Sequence, residues 1–476
     1  MTERGIAVVG GGISGLATAL AILDADTETR TETRTETRTT VTVYEADPRV
    51  GGRIEATPFA GLPHVDAGAD AFLARVPEAV ALATRVGLGD QLVSPEPVGA
   101  AVWHDGLHPI PDGLLLGLPG RLRPMATTGL LSWKGKLRAA VEPLLPRTPV
   151  DHDSIGELVR ARFGDEVHDR LVDALVGSIY AADTDRFSLA EVPQLAALAD
   201  DNRSLLLAAR RQRRQAGTAT AAASPVFAAP RDGIASLVGA VASAVTDAGG
   251  DIRSGAPVVG LEAADGGWRV ATTPDGRPER HDAVVLAAPA GASARVLADT
   301  APPAAELLST AETADVVMVT LHVPADEWPE RLRGLSGYLV PKPDQRLVKA
   351  ASFGSQKWAH WRPPAGGELL RVSLGRDGMP VLHLSDDEVV EAVLTDLHQH
   401  LGVAFSPIEV RITRWPAAFA QYRPHHARWV DAVERALPGG VFVTGAGYRG
   451  IGIPACVRDA QRTAARASGL VHDLAN

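Results

Sequence analysis

Residues 6–20 read IAVVGGGISGLATAL, and residues 43–54 read VYEADPRVGGRI. The first stretch opens on a short apolar run, Ile6 to Val9, that reads as a buried parallel strand. Gly10, Gly12 and Gly15 follow in G-x-G-x-x-G spacing, and a helical apolar pattern starts at once with Ile13, Leu16, Ala17 and Leu20. The first glycine of such a loop allows the tight turn, the second lets a pyrophosphate approach the backbone, and the third lets helix and strand pack closely. The helix N-terminus then offers free N–H groups and a positive dipole to the anion. This pattern predicts an α/β nucleotide-binding unit with Gly10, Gly11, Gly12, Ser14 and Gly15 around the pyrophosphate.

A second strand, Val41 to Tyr44, ends in Glu45. An acid there accepts hydrogen bonds from ribose hydroxyls, and it is expected roughly 20 residues past the last glycine. Here the separation is 30. Residues 27–38 are three copies of Thr-Glu-Thr-Arg, and removing those twelve leaves 18. The repeat is therefore expected to be a polar insertion in the loop between helix and strand.

After Glu45 the chain runs Ala46-Asp47-Pro48-Arg49-Val50-Gly51-Gly52-Arg53. This E-A-x-x-R-x-G-G-R pattern resembles FAD-binding families that include amine oxidases, carotenoid desaturases and protoporphyrinogen oxidases. The resemblance implies that Ala46, Gly52 and Arg53 lie along non-covalently bound FAD, with Arg53 against its pyrophosphate. It also implies that the backbone of Ala67, Gly68, Ala69 and Asp70, in a D-x-G-x-x-x-F segment, approaches the flavin ring. Near the C-terminus, Gly440 to Cys456 reads as strand, glycine loop and a helix running to about Leu474. In similar flavoproteins this region, here Gly445, Gly452 and Ile453, holds the pyrophosphate, the ribityl chain and the flavin edge. Val258 has two readings, a backbone contact to adenine or plain sheet core. Trp415 likewise reads as a flavin wall or as core.

Two interior segments narrow the resemblance to one family. Val176 to Leu189, VGSIYAADTDRFSL, and Ser352 to Trp358, SFGSQKW, are similar to porphyrinogen-oxidase motifs. Ala182 departs from that pattern by standing where the family has a second glycine. The resemblance implies oxidation of a reduced tetrapyrrole by six electrons in haem biosynthesis, with O2 reoxidising the flavin to give hydrogen peroxide. A downstream haem-synthesis enzyme is an implied partner. Another amine oxidase or carotenoid desaturase, and a non-catalytic flavin-binding protein, are the alternatives. No general base can be named, and His425 with His426 lacks the third ligand of a metal site.

Composition agrees. A chain of 476 residues is expected to hold more than one domain. Residues 1–91, 226–302 and 431–476 read as a Rossmann-like FAD-binding domain, 92–225 as a mainly helical insertion, and 303–430 as a mixed-sheet substrate domain. Net charge −10 argues against nucleic acid as a partner. The single Cys456 excludes a disulfide framework and fits a reducing cytoplasm. No apolar run reaches the ~18 residues of a spanning helix, and the first strand starts too early for a leader to precede it. Within this acidic chain, residues 114–147 carry six basic side chains against one acid, Glu142, and Arg210, Arg211, Arg213 and Arg214 form a second cluster. Each reads either as a contact to an anionic membrane surface or as a solvated helix face. An aqueous setting, with Arg75 and Lys357 as spare cations, favours the four-carboxylate coproporphyrinogen over protoporphyrinogen.

Overall fold

The first apolar run forms the strand Glu3–Val9, with its last four residues buried. The computed structural model describes residues 3–33, 38–148, 153–200, 203–218, 225–273 and 277–469. Among them, Glu3–Val9 is the middle strand of a parallel five-stranded sheet in the order Asp251–Arg253, Arg38–Tyr44, Glu3–Val9, Ala283–Leu286, Val441–Val443. Alternate residues face opposite sides. Ile6 and Val8 pack with Leu16, Leu20, Val241 and Val457 of three helices, whereas Ala7 and Val9 pack with Trp268, Val270 and Val430. This is the expected Rossmann-like core, assembled from distant parts of the chain.

The first helix spans Ile13–Thr33 and so runs into the repeat. The expectation of a loop is corrected for residues 27–33. Once a helix is nucleated each further residue adds a hydrogen bond, and Thr, Glu and Arg do not break it. Residues 34–37 lie outside the described residues. The C-terminal helix spans Ile453–Ala467; its expected end near Leu474 also falls outside them.

A second sheet has seven strands among the described residues, in the order Glu409–Ala420, Thr313–Val323, Glu368–Leu374, Val348–Phe353, Leu335–Leu339, Gly99–Trp103, Leu107–Pro109. Its last two strands come from the stretch expected to be mainly helical, which is a correction to the boundary at residue 92. Their alternating pattern is short, and the proline-rich turns beside them obscured it. Helix Asp386–Leu401 covers one face through Val389, Val393 and Leu397. The other face meets the nucleotide-binding sheet's loops.

Between residues 114 and 218 the helices share their own core around Leu158, Phe163, Leu171, Val176, Phe187 and Leu206. This portion is riveted to the large sheet by Arg376. Its Nη2 donates to Asp173 Oδ1 at 2.8 Å, and its Nε donates to the Ala182 carbonyl at 3.1 Å. The VGSIYAAD segment thus works as an inter-element joint. Ala182 supplies a carbonyl there, which any residue can do, and this accounts for the tolerated glycine replacement.

The repeat is expected to be dispensable. Thr39 N donates to Asp26 Oδ1 at 2.9 Å, so the residues flanking 27–38 already touch. Deleting residues 27–38 should change stability by about 1 kcal/mol or less and leave flavin content intact. Denaturant midpoint and the visible flavin absorption spectrum check this.

Candidate functional site

The glycine loop is locked to the second strand and to the following turn. Gly10 N donates to the Tyr44 carbonyl at 2.7 Å, and Gly51 N to the Gly11 carbonyl at 2.9 Å. A Cβ at Gly15 would overlap the Gly10 carbonyl oxygen, so helix and loop approach in a way only glycine allows. At Gly12, by contrast, an added Cβ would meet nothing within 4 Å, and that open side is where a phosphate can approach the backbone. Gly52 lies beside it, its Cβ position 3.7 Å from Gly12 Cα.

Glu45 is only 8% exposed. Its Oε2 accepts from Gly11 N at 2.6 Å and its Oε1 from Asp47 N at 2.8 Å. An ionised carboxylate has about four lone-pair sites, so acceptor capacity for ribose hydroxyls is left on both oxygens. Ala46 follows directly. Val258 is half-buried at the start of its strand, where the register with Thr272 shifts.

Arg53 is the informative cation. It is half-buried, makes no hydrogen bond or ion pair among the described residues, and burial lowers its pKa from the usual arginine value. It lines a cavity of about 300 Å³ together with Pro289, His426, Trp429, Ala446 and Gly447. Ser14 stands close to Gly445, which adopts φ +125° and donates to Asp459 Oδ2 at 3.2 Å. Gly452 caps the last helix with an extended backbone and no side-chain hydrogen bond, leaving the first N–H groups, from Ile453 on, free of side-chain caps. These donors suit an anionic or electron-rich group.

The D-x-G segment is clamped against the large sheet. Trp415 Nε1 donates to the Ala67 carbonyl at 3.1 Å, and Arg371 donates to the Gly68 carbonyl. Asp70 accepts from Lys357 Nζ at 2.8 Å and Trp358 Nε1 at 3.1 Å, with Arg371 Nη1 3.5 Å away. Burial alone would raise the Asp70 carboxyl, but Lys357 and Arg371 outweigh it and hold it well below the usual range. One expectation changes here. Lys357 is no spare cation, because its charge is spent on Asp70. Asp70 makes these contacts with its side chain, and Ala69 precedes it in the backbone. Arg75 is exposed and makes no ion pair among the described residues.

His426 stacks on Tyr422 at 4.2 Å between ring centroids, and its Nε2–H donates to the Tyr448 carbonyl at 3.0 Å in the neutral form. Burial pushes its pKa down to about 4. Among the described residues no group of three or more His, Cys, Asp or Glu is arranged to hold a metal ion. Cys456 is buried and its thiol is pushed up to about 11 by burial, an unreactive form. The sequence reading missed Asp459, which fixes the Gly445 turn, and Arg411, whose Nη2 donates to the Asp66 carbonyl at 3.2 Å. Neither stands in a motif; each is one polar residue in an otherwise patterned helix or strand.

The arrangement fits one extended dinucleotide: an acid for ribose, an open glycine face and an unpartnered arginine for pyrophosphate, and an uncapped helix start. The chain matches the model of the flavin containing amine oxidoreductase family over residues 13–468 and belongs to that family. It is an FAD-dependent oxidoreductase. It is 34% identical over 473 residues to the coproporphyrinogen III oxidase of Mycobacterium tuberculosis (strain ATCC 25618 / H37Rv), covering 97% of each chain. It is 30% identical over 464 residues to the protein of that name from Bacillus subtilis (strain 168), covering 96% of each. A crystal structure from Exiguobacterium sp. 255-15, named provisionally as a protoporphyrinogen oxidase, superposes with a TM-score of 0.85 at 28% identity, covering 99% of this chain and all of that one.

Arg53→Ala is expected to weaken FAD binding by roughly 1.5–3 kcal/mol, the worth of hydrogen bonds to a charged group. Because Arg53 has no side-chain partner to lose among the described residues, the apoprotein's melting temperature should stay the same. Glu45→Ala should weaken FAD similarly but also destabilise the apoprotein, since it frees the N–H groups of Gly11 and Asp47. Calorimetric titration of apoprotein with FAD, alongside thermal melts, separates the two.

Proposed function

We propose that this chain oxidises coproporphyrinogen III to coproporphyrin III, in preference to protoporphyrinogen IX to protoporphyrin IX, as a step of haem biosynthesis. Six electrons pass to O2, giving hydrogen peroxide. The reading is carried by near-full-length similarity to proteins named coproporphyrinogen III oxidase, at 30–34% identity. FAD, bound without a covalent link, supplies the hydride-accepting chemistry. The chain's own residues bind, orient and exclude. Glu45 and Arg53 hold the two ends of the pyrophosphate-ribose portion. The free N–H groups at Ile453 stabilise negative charge at the flavin edge. The Asp70 cluster keeps the Gly68 backbone against the large sheet, so the ring and the substrate meet on a fixed surface. Arg75, exposed beyond that segment, takes a substrate carboxylate.

Coproporphyrinogen is expected to give the higher kcat/KM under identical aerobic conditions. One additional carboxylate held by an arginine should favour it by about tenfold. Arg75→Ala should raise KM for coproporphyrinogen. Equal or better turnover of protoporphyrinogen would reverse the preference, and an unchanged KM would remove Arg75 from the site. Acid precipitation should leave a colourless pellet and free FAD in solution.

The enzyme is also proposed to work in the cytoplasm, peripherally at an anionic membrane face, handing product to a downstream haem-synthesis enzyme. No helix among the described residues is long and apolar enough to cross a membrane. The two basic clusters meet: Arg121, Arg123, Arg210, Arg213 and Arg214 line one cavity of about 630 Å³. Trp133 and Leu144 are exposed on the same helical portion, at 70% and 76%. Phosphatidylglycerol vesicles should sediment with the protein and phosphatidylcholine vesicles should not. Changing Arg121, Arg123 and Arg210 to Glu should abolish this, at about 1 kcal/mol per cation removed. Equal binding by that variant would defeat the membrane reading.

A further inference from the structure

Lys349 sits in the middle of the large sheet and is 2% exposed. Its neighbour Val348 faces the helix Asp386–Leu401, within the core that contains Val389 and Val393. The Lys349 amine goes to the other side, where its Nζ lies 5.8 Å from the centre of the Phe419 ring. Phe419 packs there with Ala314 and Val316. Ala314, Val316 and Met318 alternate along one strand, and Arg371 and Ser373 along the next, opposite Thr320 and Met318. This is the face that carries Arg371 onto Gly68 and Trp415 onto Ala67, so it looks toward the flavin-binding segment.

Along this face the side chains are incompletely covered. Met318, Ala350, Ser352 and Ser373 are each half-buried while the residues between them are buried. Four such positions on three adjacent strands form an accessible trough beside the flavin-binding segment. Lys349 lies at its end, where the helical portion closes over the sheet.

The Lys349 amine makes no hydrogen bond and no ion pair among the described residues, although its backbone carbonyl accepts from Val340 N at 2.8 Å; the amine lies near the face of the Phe419 ring. The charged group that bears on it is Arg376, whose guanidinium is already committed to Asp173. A buried ammonium without a counter-ion is costly, and a like charge nearby makes it more so. Burial first, and Arg376 second, push its pKa down to about 7. Lys357 and Arg371 are paired with Asp70, and Arg411 with Thr57 and the Asp66 carbonyl, whereas Arg53 lines a separate cavity and Arg75 is exposed. The Lys349 amine is thus a buried cation with no counter-ion among the described residues, on the sheet face that looks toward the flavin-binding segment.

We propose that Lys349 anchors a peripheral carboxylate of the tetrapyrrole, with Phe419 packed against its stem and ring edge, and so contributes to choosing the more carboxylated substrate. The inference rests on the porphyrinogen reading above and names the residue that serves it. An arriving carboxylate supplies the missing opposite charge inside a partly dry trough, where a charge-assisted hydrogen bond is strong.

The test uses the FAD-loaded full chain as wild type, Lys349→Met, Lys349→Gln and Lys349→Arg, each assayed with both porphyrinogens. Lys349→Met and Lys349→Gln are expected to raise KM for coproporphyrinogen about tenfold or more, the scale of a lost charged hydrogen bond. Their kcat should stay within about threefold, because binding common to ground and transition states is what is lost. Lys349→Arg should recover part of the KM. The flavin absorption spectrum should not change in any variant. An unchanged coproporphyrinogen KM in either folded neutral variant overturns the anchor. So does a neutral variant that changes kcat and the flavin spectrum together, which marks a structural role. If both neutral variants fail to fold, Lys349→Arg decides by pH profile: a coproporphyrinogen KM that rises above about pH 7 in the wild type but stays flat in Lys349→Arg supports the anchor, and the same profile in both overturns it. Failure of the wild type on both porphyrinogens defeats the underlying substrate reading instead, and is recognised by that.

Discussion

The rest of the site depends on one buried charge cluster. Asp70 gathers Lys357, Trp358 and Arg371 from two separate segments of the large sheet and brings them onto the end of the flavin-binding segment. A carboxylate with this much positive company stays ionised, and an ionised carboxylate in a poorly hydrated place cannot be released cheaply. The same Arg371 that faces Asp70 also grips the Gly68 carbonyl. Two architectures, a parallel nucleotide-binding sheet and a mixed sheet, are thereby held at one distance. The space between them is a property of that joint.

A second joint works on the same principle at the far side of the sheet. Arg376 is buried, reaches Asp173 in the wide helical segment His168–Gly177, and takes the Ala182 carbonyl as well. Asp173 in turn accepts from Thr184 Oγ1 at 2.7 Å. Buried ionic networks of this kind specify one relative placement of elements more than they add stability. The large sheet is thus pinned by two arginines, Arg371 in the strand Glu368–Leu374 and Arg376 in the turn just after it, each speaking to a different neighbour. The trough that holds Lys349 lies between these pins.

Much of this was legible in the chain because backbone constraints leave residue-level marks. Gly10, Gly15 and Gly51 stand where no side chain fits, and Glu45 stands where two N–H groups converge, so the glycine spacing together with the acid after the second strand pointed to this end of the parallel sheet. The strand-loop-helix near residue 450 was readable for the same reason. Side-chain partnerships were not. Lys357 looked available in the sequence, and only its distance to Asp70, 287 positions away, shows otherwise. The strands Gly99–Trp103 and Leu107–Pro109 were absorbed into a helical stretch because they are short and bounded by prolines, and their sheet partner is a strand more than two hundred residues later. The repeat misled in the opposite direction: its composition is that of a loop, but a helix already under way carries it to Thr33.

The order of strands in the parallel sheet has a consequence for how the protein is made. Its central strand, Glu3–Val9, leaves the ribosome more than four hundred residues before its edge strand, Val441–Val443. At synthesis rates of about 5–20 residues per second, the interval between them is on the order of 20–90 seconds. During that time the glycine loop lacks the turn at Gly445 and the helix that begins at Ile453. Nascent chains therefore emerge with an unfinished sheet edge, which is a pairing surface for other chains. The acidic character of the chain as a whole keeps such chains apart by mutual repulsion until the strand Val441–Val443 and the helix Ile453–Ala467 close the fold.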